Sequence, residues 1–351
     1  MQLTHVVPKE DLFDTYLYTP SQSATFVKHF AKMAKELEEK LALKGGTSFP
    51  WDGDLVVDIG SNDGLLLSKF REELRVLGIE PAQNITSSVE TVHEYWSENL
   101  AWKLRAKYGE AKLITATNVF AHIDDINSFM HGVVALLAPD GTFVIEVPGL
   151  LEMLQSGTYD LIYFEHASYL SLSPLIHLFD IHGMEITDVE TVPIHGGSLR
   201  IFVSHKELGV RERKPSVGAR IGAEAEIGDG LIESFVEKVL ESKKALLAVL
   251  RGDPKPTVGY TAPAKATTMI YYCGLTEEDI RFIVDDSPLK QGKYIPGTHI
   301  QIAAPADMEL YPYIERAVIF AWNLHIELLP KLKGRCAEVV IPMPEVRVVQ
   351  I

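Results

Sequence analysis

The sequence is poor in cysteine, holding only Cys273 and Cys336. Two thiols so far apart exclude a zinc site built mainly of thiolates and make no disulfide framework. Basic charge is also short: 33 Lys and Arg stand against 48 Asp and Glu, for a net charge of −15. So acidic a chain lacks the Lys and Arg face that a phosphate backbone requires, and no nucleic-acid partner is expected. Long apolar runs are missing too, which argues against a membrane span. The opening MQLTHVVPKEDLF has neither the basic start nor the apolar core of a secretion signal, so the cytoplasm is the expected compartment. Asn84-Ile85-Thr86 matches the glycosylation triplet, a pattern common by chance.

What remains is a globular balance, 46% hydrophobic and 23% charged over 351 residues, a length that suits two domains. Residues 25–44 (TFVKHFAKMAKELEEKLALK) carry apolar side chains at helical spacing, with Gly45-Gly46 as a stop signal. Strands and helices then alternate. LVVDIG (55–60), RVLGIE (75–80), LITATNVF (113–120) and TFVIEVP (142–148) read as strands, the last following a turn at Pro139-Asp140-Gly141. LLLSKFREEL (65–74) reads as a helix. This alternation predicts an α/β fold, a Rossmann-like parallel sheet with helices on both faces. Residues 185–205 read as two further strands pairing as a hairpin at the sheet edge.

The pattern divides the chain into an N-terminal helical and tyrosine-bearing segment (1–50), a ligand-binding sheet domain (51–205), a connecting helix (206–250) and a second, smaller α/β domain (251–351). The smaller domain rests on strands in PTVGYTAPAKATTMIYYCGL (256–275), RFIVDDSP (281–288), RAVIFAWN (316–323) and AEVVIPMP (337–344).

The turn after the first strand, Asp58-Ile59-Gly60-Ser61-Asn62-Asp63-Gly64, is where chemistry enters. Its glycines let the backbone approach a ligand, and a helix following it would aim its N-terminus there. It is not the dinucleotide pattern G-x-G-x-x-G, because Asp58 stands where the first glycine belongs. An aspartate there repels a pyrophosphate but suits a sulfonium and its ammonium group. Glu80 ends the next strand, where a carboxylate accepts both hydroxyls of a ribose. S-adenosylmethionine is the expected cofactor, with Asp58, Gly60, Asn62, Asp63, Gly64 and Glu80 around it; NAD is the rival.

Across its length the chain resembles the S-adenosylmethionine-dependent sugar C-methyltransferases, which act on nucleotide-linked keto-deoxysugars. The stretches that carry the resemblance are VVDIGSNDGLLL (56–67), TNVFAHIDDI (117–126), YFEHASYLSL (163–172), PIHGGSLRIFV (193–203), VGYTAPAKATT (258–268) and VDDSPLKQGKYIPGTHI (284–300), with AWN (321–323) and IPMP (341–344). Three departures stand out. The family's N-terminal cysteine-rich zinc module has no counterpart here, and DLFDTYLYTPSQS (11–23) resembles the tyrosine-bearing segment that follows it. Phe164 replaces the first histidine of the family's His-Glu-His, and Thr261 replaces a glycine.

The resemblance implies roles. His166 is the base that removes a proton alpha to a ketone, a task suited to histidine because its ordinary pKa lies near working pH. Tyr163 and Glu165 assist it, and His122 faces the substrate. Asn118 lies by the cofactor's methionine end. Tyr16 and Tyr18 are candidates to close over the site. His195 in HGGS is a candidate substrate contact, or else fixes a turn. The second domain corresponds to the half that holds the nucleotide sugar, with Lys265 able to neutralise a phosphate. Trp322-Asn323 is either packing or a substrate contact. The partner is then a small-molecule nucleotide sugar, with no metal and no membrane, and the oligomeric state is open. Methylation of oxygen or nitrogen, or a catalytically idle relative that only binds, are the alternatives.

Overall fold

Val56 and Val57 belong to a run with no polar side, and such a run is stable only as a strand covered on both faces. In the computed structural model, which describes residues 6–47, 52–207, 212–311 and 314–351, that run is β1 (Leu55–Ile59) in the middle of a seven-stranded sheet. The other strands are β2 (Arg75–Ile79), β3 (Thr91–Val92), β4 (Ala111–Thr117), β5 (Leu137–Pro148), β6 (Met184–Val192) and β7 (Ser198–His205). Their order is β3-β2-β1-β4-β5-β7-β6. All pairs are parallel except those of β7, which runs antiparallel to both β5 and β6. The 185–205 hairpin thus sits at the edge, with β7 inside and β6 outermost. One face of the sheet carries an aromatic core of Phe120, Phe129, Phe143 and Phe179, closed by helices Glu98–Tyr108, Ile126–Leu136 and Leu172–Ile181.

The N-terminal helix spans Ala24–Leu41, shorter than the expected 25–44. The Ser23 side chain accepts from the Phe26 amide at its start, and Ala42, at φ 51°, ends it before the glycine pair is reached. It buries Phe26, Phe30, Met33, Ala34, Leu37 and Leu41. It is also held by polar side chains: His29 Nε2 lies 2.7 Å from Glu146 Oε1 on β5, and Arg200 on β7 binds both Glu146 and Glu36. Removing one partner of such a buried set costs about 3–5 kcal/mol, because the other charge is left unpaired.

Two expectations are corrected. Residues 65–74 form no α-helix, only a 3₁₀ turn at Leu67–Lys69. Leu65, Leu66, Leu67, Phe70 and Leu74 are buried while Ser68, Arg71, Glu72 and Glu73 are exposed, and three consecutive buried leucines do not fit the single inward stripe of an amphipathic helix. The glycine turn therefore does not open into a helix N-terminus. Pro139-Asp140-Gly141 is not a free turn either, since it continues β5 beside a register shift opposite Ala111 and Leu113.

By contact the chain forms two units, Met1–Leu151 with Phe164–Glu226, and Glu152–Tyr163 with Ile227–Ile351. The N-terminal helix counts with the first unit, and the long helix Asp229–Gly252 with the second. The second unit has six strands: β8 (Thr257–Tyr260), β9 (Ile283–Val284), β10 (Ile302–Ala303), β11 (Arg316–Ile319), β12 (Glu338–Ile341) and β13 (Arg347–Gln350), in the order β10-β9-β8-β11-β12-β13. All are parallel except β13. Helix Ala264–Cys273 links β8 to β9, and helix His325–Leu332 links β11 to β12.

Candidate active site

The cofactor turn is built by backbone geometry. Gly60 (φ +71°) and Gly64 (φ +76°) adopt left-handed conformations, and a Cβ on Gly60 would lie 2.3 Å from Val119 Cγ2. Asn62, also left-handed at φ 50°, uses its side-chain oxygen to accept from the Asp63 amide at 2.8 Å. Its own amide donates to Glu80 Oε2 at 2.9 Å, and the Ala82 amide donates to Oε1 at 2.9 Å. Glu80 is thereby fixed at the end of β2. Burial pushes its carboxyl up, against the pull of those two amides.

Asp58 is fully buried on β1 and accepts from the Thr115 hydroxyl at 2.6 Å. Burial raises its pKa to about 7, the Thr115 hydrogen bond opposes this, and the nearby charge of Glu80 adds to it. Asn118, at φ 57°, follows β4 and donates its amide to the Glu146 carbonyl at 2.7 Å, while its Oδ1 is buried without a hydrogen-bond partner. A cradle that tolerates no Cβ, two buried carboxylates and an orphaned acceptor fit a cationic ligand bearing hydroxyls. S-adenosylmethionine has that chemistry.

The N-terminal segment is strapped beside this turn. The Asn62 side chain donates to the Tyr18 carbonyl at 3.0 Å, and the Ser21 amide donates to Asp63 Oδ2 at 3.2 Å. Asn84 grips Tyr16 from both sides, accepting from its amide at 2.9 Å and donating to its carbonyl at 2.7 Å. Tyr95 donates to Asp14 at 2.6 Å. Held this way, the Tyr16 hydroxyl donates to Glu165 Oε2 at 2.9 Å. Tyr18 stays partly exposed, its ring edge-on to Phe26.

Next to Glu165, His166 is buried, and its ring stacks on His122 with centroids 5.3 Å apart and planes 26° apart. Phe13 also stacks on His122, at 5.5 Å and 12°, and Tyr169 meets His166 edge-on. Burial, then the neighbouring charges of His166 and His195, hold the His122 imidazole well below its ordinary pKa. His122 is therefore neutral at working pH. His195 takes a left-handed conformation (φ 55°) ahead of Gly196-Gly197, with its ring 5.3 Å from Phe26. Histidines 122, 166 and 195 thus gather with Tyr16 and Glu165 in one unit, alongside the cofactor turn.

Two expected residues lie in the other unit. Tyr163 ends the segment Glu152–Tyr163. Lys265 is buried in the first turn of helix Ala264–Cys273, where it donates to Asn323 Oδ1 at 2.5 Å and lies 3.7 Å from Asp160 Oδ2. Phe13 and Asn84 are parts of the site that sequence reasoning missed. Phe13 stood in the tyrosine-bearing stretch without a pattern to mark it, and Asn84 was visible only as part of a sequon. Among the described residues, no three His, Cys, Asp or Glu side chains cluster as metal ligands, and no helix is long and apolar enough to cross a membrane.

Comparison with known proteins gives the chemistry a name. A methyltransferase domain profile matches residues 28–189, and a C-methyltransferase C-terminal domain profile matches residues 193–344. The chain is 34% identical to the C-methyltransferase NovU of Streptomyces niveus, an alignment covering 99% of this chain and 84% of that protein. Among solved structures, a SAM-dependent methyltransferase from Anabaena variabilis aligns at a TM-score of 0.37 and 14% identity, over 55% of this chain and 88% of its own. Magnesium protoporphyrin IX methyltransferase from Synechocystis, with bound SAH, aligns at a TM-score of 0.38 and 12% identity, over 51% and 83%. The chain belongs to the S-adenosylmethionine-dependent C-methyltransferases, the family of NovU.

Proposed function

We propose that this C-methyltransferase methylates the carbon alpha to a ketone in a nucleotide-linked deoxysugar, with His166 as the base. The observation that carries the reading is the stack of buried His166 on His122, whose pKa is held well below its ordinary value. Carbon beside a ketone becomes nucleophilic only when a base removes its proton, and an imidazole shielded from water is suited to that work. His122 adds no positive charge to oppose His166 when it becomes protonated. Glu165, held by the Tyr16 hydroxyl, is the nearest carboxylate in sequence to that new charge, and it assists.

Bound S-adenosylmethionine supplies the electrophilic methyl group, already activated by its sulfonium. Asp58, Asn62, Asp63, Glu80 and Asn118 orient it, with Gly60 and Gly64 admitting it close to the backbone. Tyr18, carried on the strap that reaches Asn62 and Asp63, closes over the substrate. Tyr16 and His195 contact the sugar. Proximity and fixed orientation provide most of the acceleration, because the strap and the stack hold these groups before substrate arrives. Lys265 takes no direct part, because its ammonium is committed to Asn323 and Asp160.

The test is His166→Asn, assayed on a panel of nucleoside-diphosphate keto-deoxysugars. Turnover is expected to fall by ~10²–10⁴-fold with cofactor affinity and melting temperature unchanged. If the wild-type enzyme exchanges the sugar's alpha proton with deuterated water, the variant loses that exchange as well. Near-normal turnover would remove His166 from the reaction.

A further inference from the structure

Residues 13–21 touch both halves of the site within the first unit. Towards residue 21 the strap hangs on the cofactor turn, where the Asn62 side chain donates to the Tyr18 carbonyl and Asp63 Oδ2 accepts from the Ser21 amide. Towards residue 13 it reaches the acid–base groups, where Phe13 stacks on His122 and the Tyr16 hydroxyl donates to Glu165 Oε2. Between these ends the strap is held by the loop that leaves Glu80. The Ala82 amide donates to Glu80 Oε1, and the Gln83 amide donates to the Asp14 carbonyl at 3.2 Å. Asn84 then takes the amide and the carbonyl of Tyr16 together. A side-chain amide can do this because it carries a donor and an acceptor side by side, so it pairs with one backbone residue as a neighbouring strand would.

Little apolar burial supports the strap. Helix Lys9–Phe13 has no buried residue, and from residue 8 to residue 20 only Pro20 is buried. Gln83 and Asn84, which grip it, are exposed as well. The second unit shows the opposite case: Asp160, in the 3₁₀ turn Tyr159–Leu161, is completely buried and accepts from Trp322 Nε1 at 2.5 Å. An element fastened by water-exposed hydrogen bonds, with few buried apolar contacts, opens at a free energy well below that of global unfolding. Helix Ala24–Leu41 is anchored separately by its own buried face, so the strap can lift without it. The strap thus has a docked state and an open one.

Docking completes two sets of groups at once. It gives Asn62 and Asp63, on the cofactor side, their partners in the strap, and it brings Tyr16 to Glu165 and Phe13 to His122 on the sugar side. A ligand that prefers the docked state favours the second ligand, and the second favours the first by the same factor. We infer that the strap couples the binding of the methyl donor to that of the sugar, with Asn84 as the positioning residue that fixes its docked state. Asn84 acts through the backbone of Tyr16. The coupling rests on the ligand positions proposed above.

The experiment compares the full-length wild type with Asn84→Ala and Asn84→Asp, both at an exposed position where folding is not at risk. Amide hydrogen exchange across residues 13–18 is followed with and without saturating S-adenosylhomocysteine, and calorimetry gives the affinity for that probe. In the wild type the probe is expected to slow exchange there by about fivefold or more, with a smaller change in helix Ala24–Leu41. In Asn84→Ala the same amides should exchange faster, and affinity for the probe should fall by about fivefold or more although the cofactor turn is unaltered. Asn84→Asp keeps the acceptor for the Tyr16 amide and loses the donor to its carbonyl, so it should lie between the two. On the keto-deoxysugar panel, Asn84→Ala should raise KM for donor and sugar together while kcat stays within about threefold, because the two ligands jointly redock the strap. A purely structural role for Asn84 would not move the two KM values as a pair. Wild-type exchange that ignores the probe, wild-type affinity in Asn84→Ala, or a rise in the sugar KM alone would each overturn the coupling. A panel without any substrate would count against the proposed function, and the exchange and calorimetry, which need no sugar, would still decide the coupling.

Discussion

The two sheets share an architecture and use it in opposite ways. Each reverses its strand order beside its first strand, the first sheet between β1 and β4, the second between β8 and β11. After β1 the chain turns on Gly60 and Gly64, which leave a cradle bordered by Asp58, Glu80 and the unpartnered Asn118 Oδ1. After β8 it turns on Thr261-Ala262-Pro263. Thr261 takes the left-handed conformation (φ 66°) and accepts from the Ala321 amide at 2.9 Å. Asp285, at the end of β9, accepts from the Ala262 and Ser287 amides at 2.7 and 2.9 Å. The second turn is closed by its own side chains, and Lys265 beyond it receives Asp160. Topology provides a crevice in both sheets. The residues of the first turn decide whether it is kept for a ligand or filled by the chain.

The largest effect that probes this contrast is expected from Gly60→Ala. It places a Cβ against Val119 on a left-handed backbone, which should cost about 3 kcal/mol of stability and abolish cofactor binding. Thermal melts and calorimetry with S-adenosylhomocysteine would show it, and normal binding would mean the turn is not the cradle.

Next comes the pH dependence set by Asp58, whose pKa stands at about 7. A cationic ligand needs the carboxylate, so S-adenosylmethionine affinity should fall ~10-fold per pH unit below 7 and stay level above it. Stability should run the other way. The folded pKa lies above the unfolded value of 3.8, so the contribution of Asp58 to the stability of the ligand-free protein is complete below about pH 4. It should lose about 1.4 kcal/mol per unit up to pH 7, then no more. Asp58→Asn should flatten both profiles while weakening affinity. An unchanged affinity profile in the variant would assign the titration to another group.

The smallest effect belongs to the second sheet. Thr261→Gly relieves the left-handed strain but loses the acceptor for Ala321, so stability should change by less than about 1 kcal/mol in urea titrations. A loss as large as that of Gly60→Ala would erase the distinction between the two turns.

Much of this fold was legible because buried parallel strands are mostly apolar, as 55–59 and 316–319 are apart from Asp58 and Arg316. The missing helix after β1 was not. LLLSKF shows strong helix formers, but three consecutive buried leucines do not fit the single inward stripe of an amphipathic helix. The tight turn after β1 could be read because glycine favours the left-handed conformations that Gly60 and Gly64 take there. Phe13, Asn84 and the Asp160 receptor could not, since they act through partners distant in sequence: Asn84 is 68 residues from Tyr16, and Asp160 is 162 from Trp322. Nothing in the composition of residues 152–163 marks a passage through a second unit.

That last separation has a consequence in time. A ribosome adding ~5–20 residues per second needs roughly 8–32 s to travel the 162 residues from Asp160 to Trp322. Throughout that interval the Tyr159–Asp160 turn has been made but its receptor is unfinished, although every strand of the first sheet is synthesised early in it. The nascent chain therefore carries the Tyr159–Asp160 turn without its receptor while the strands of the first sheet are already made.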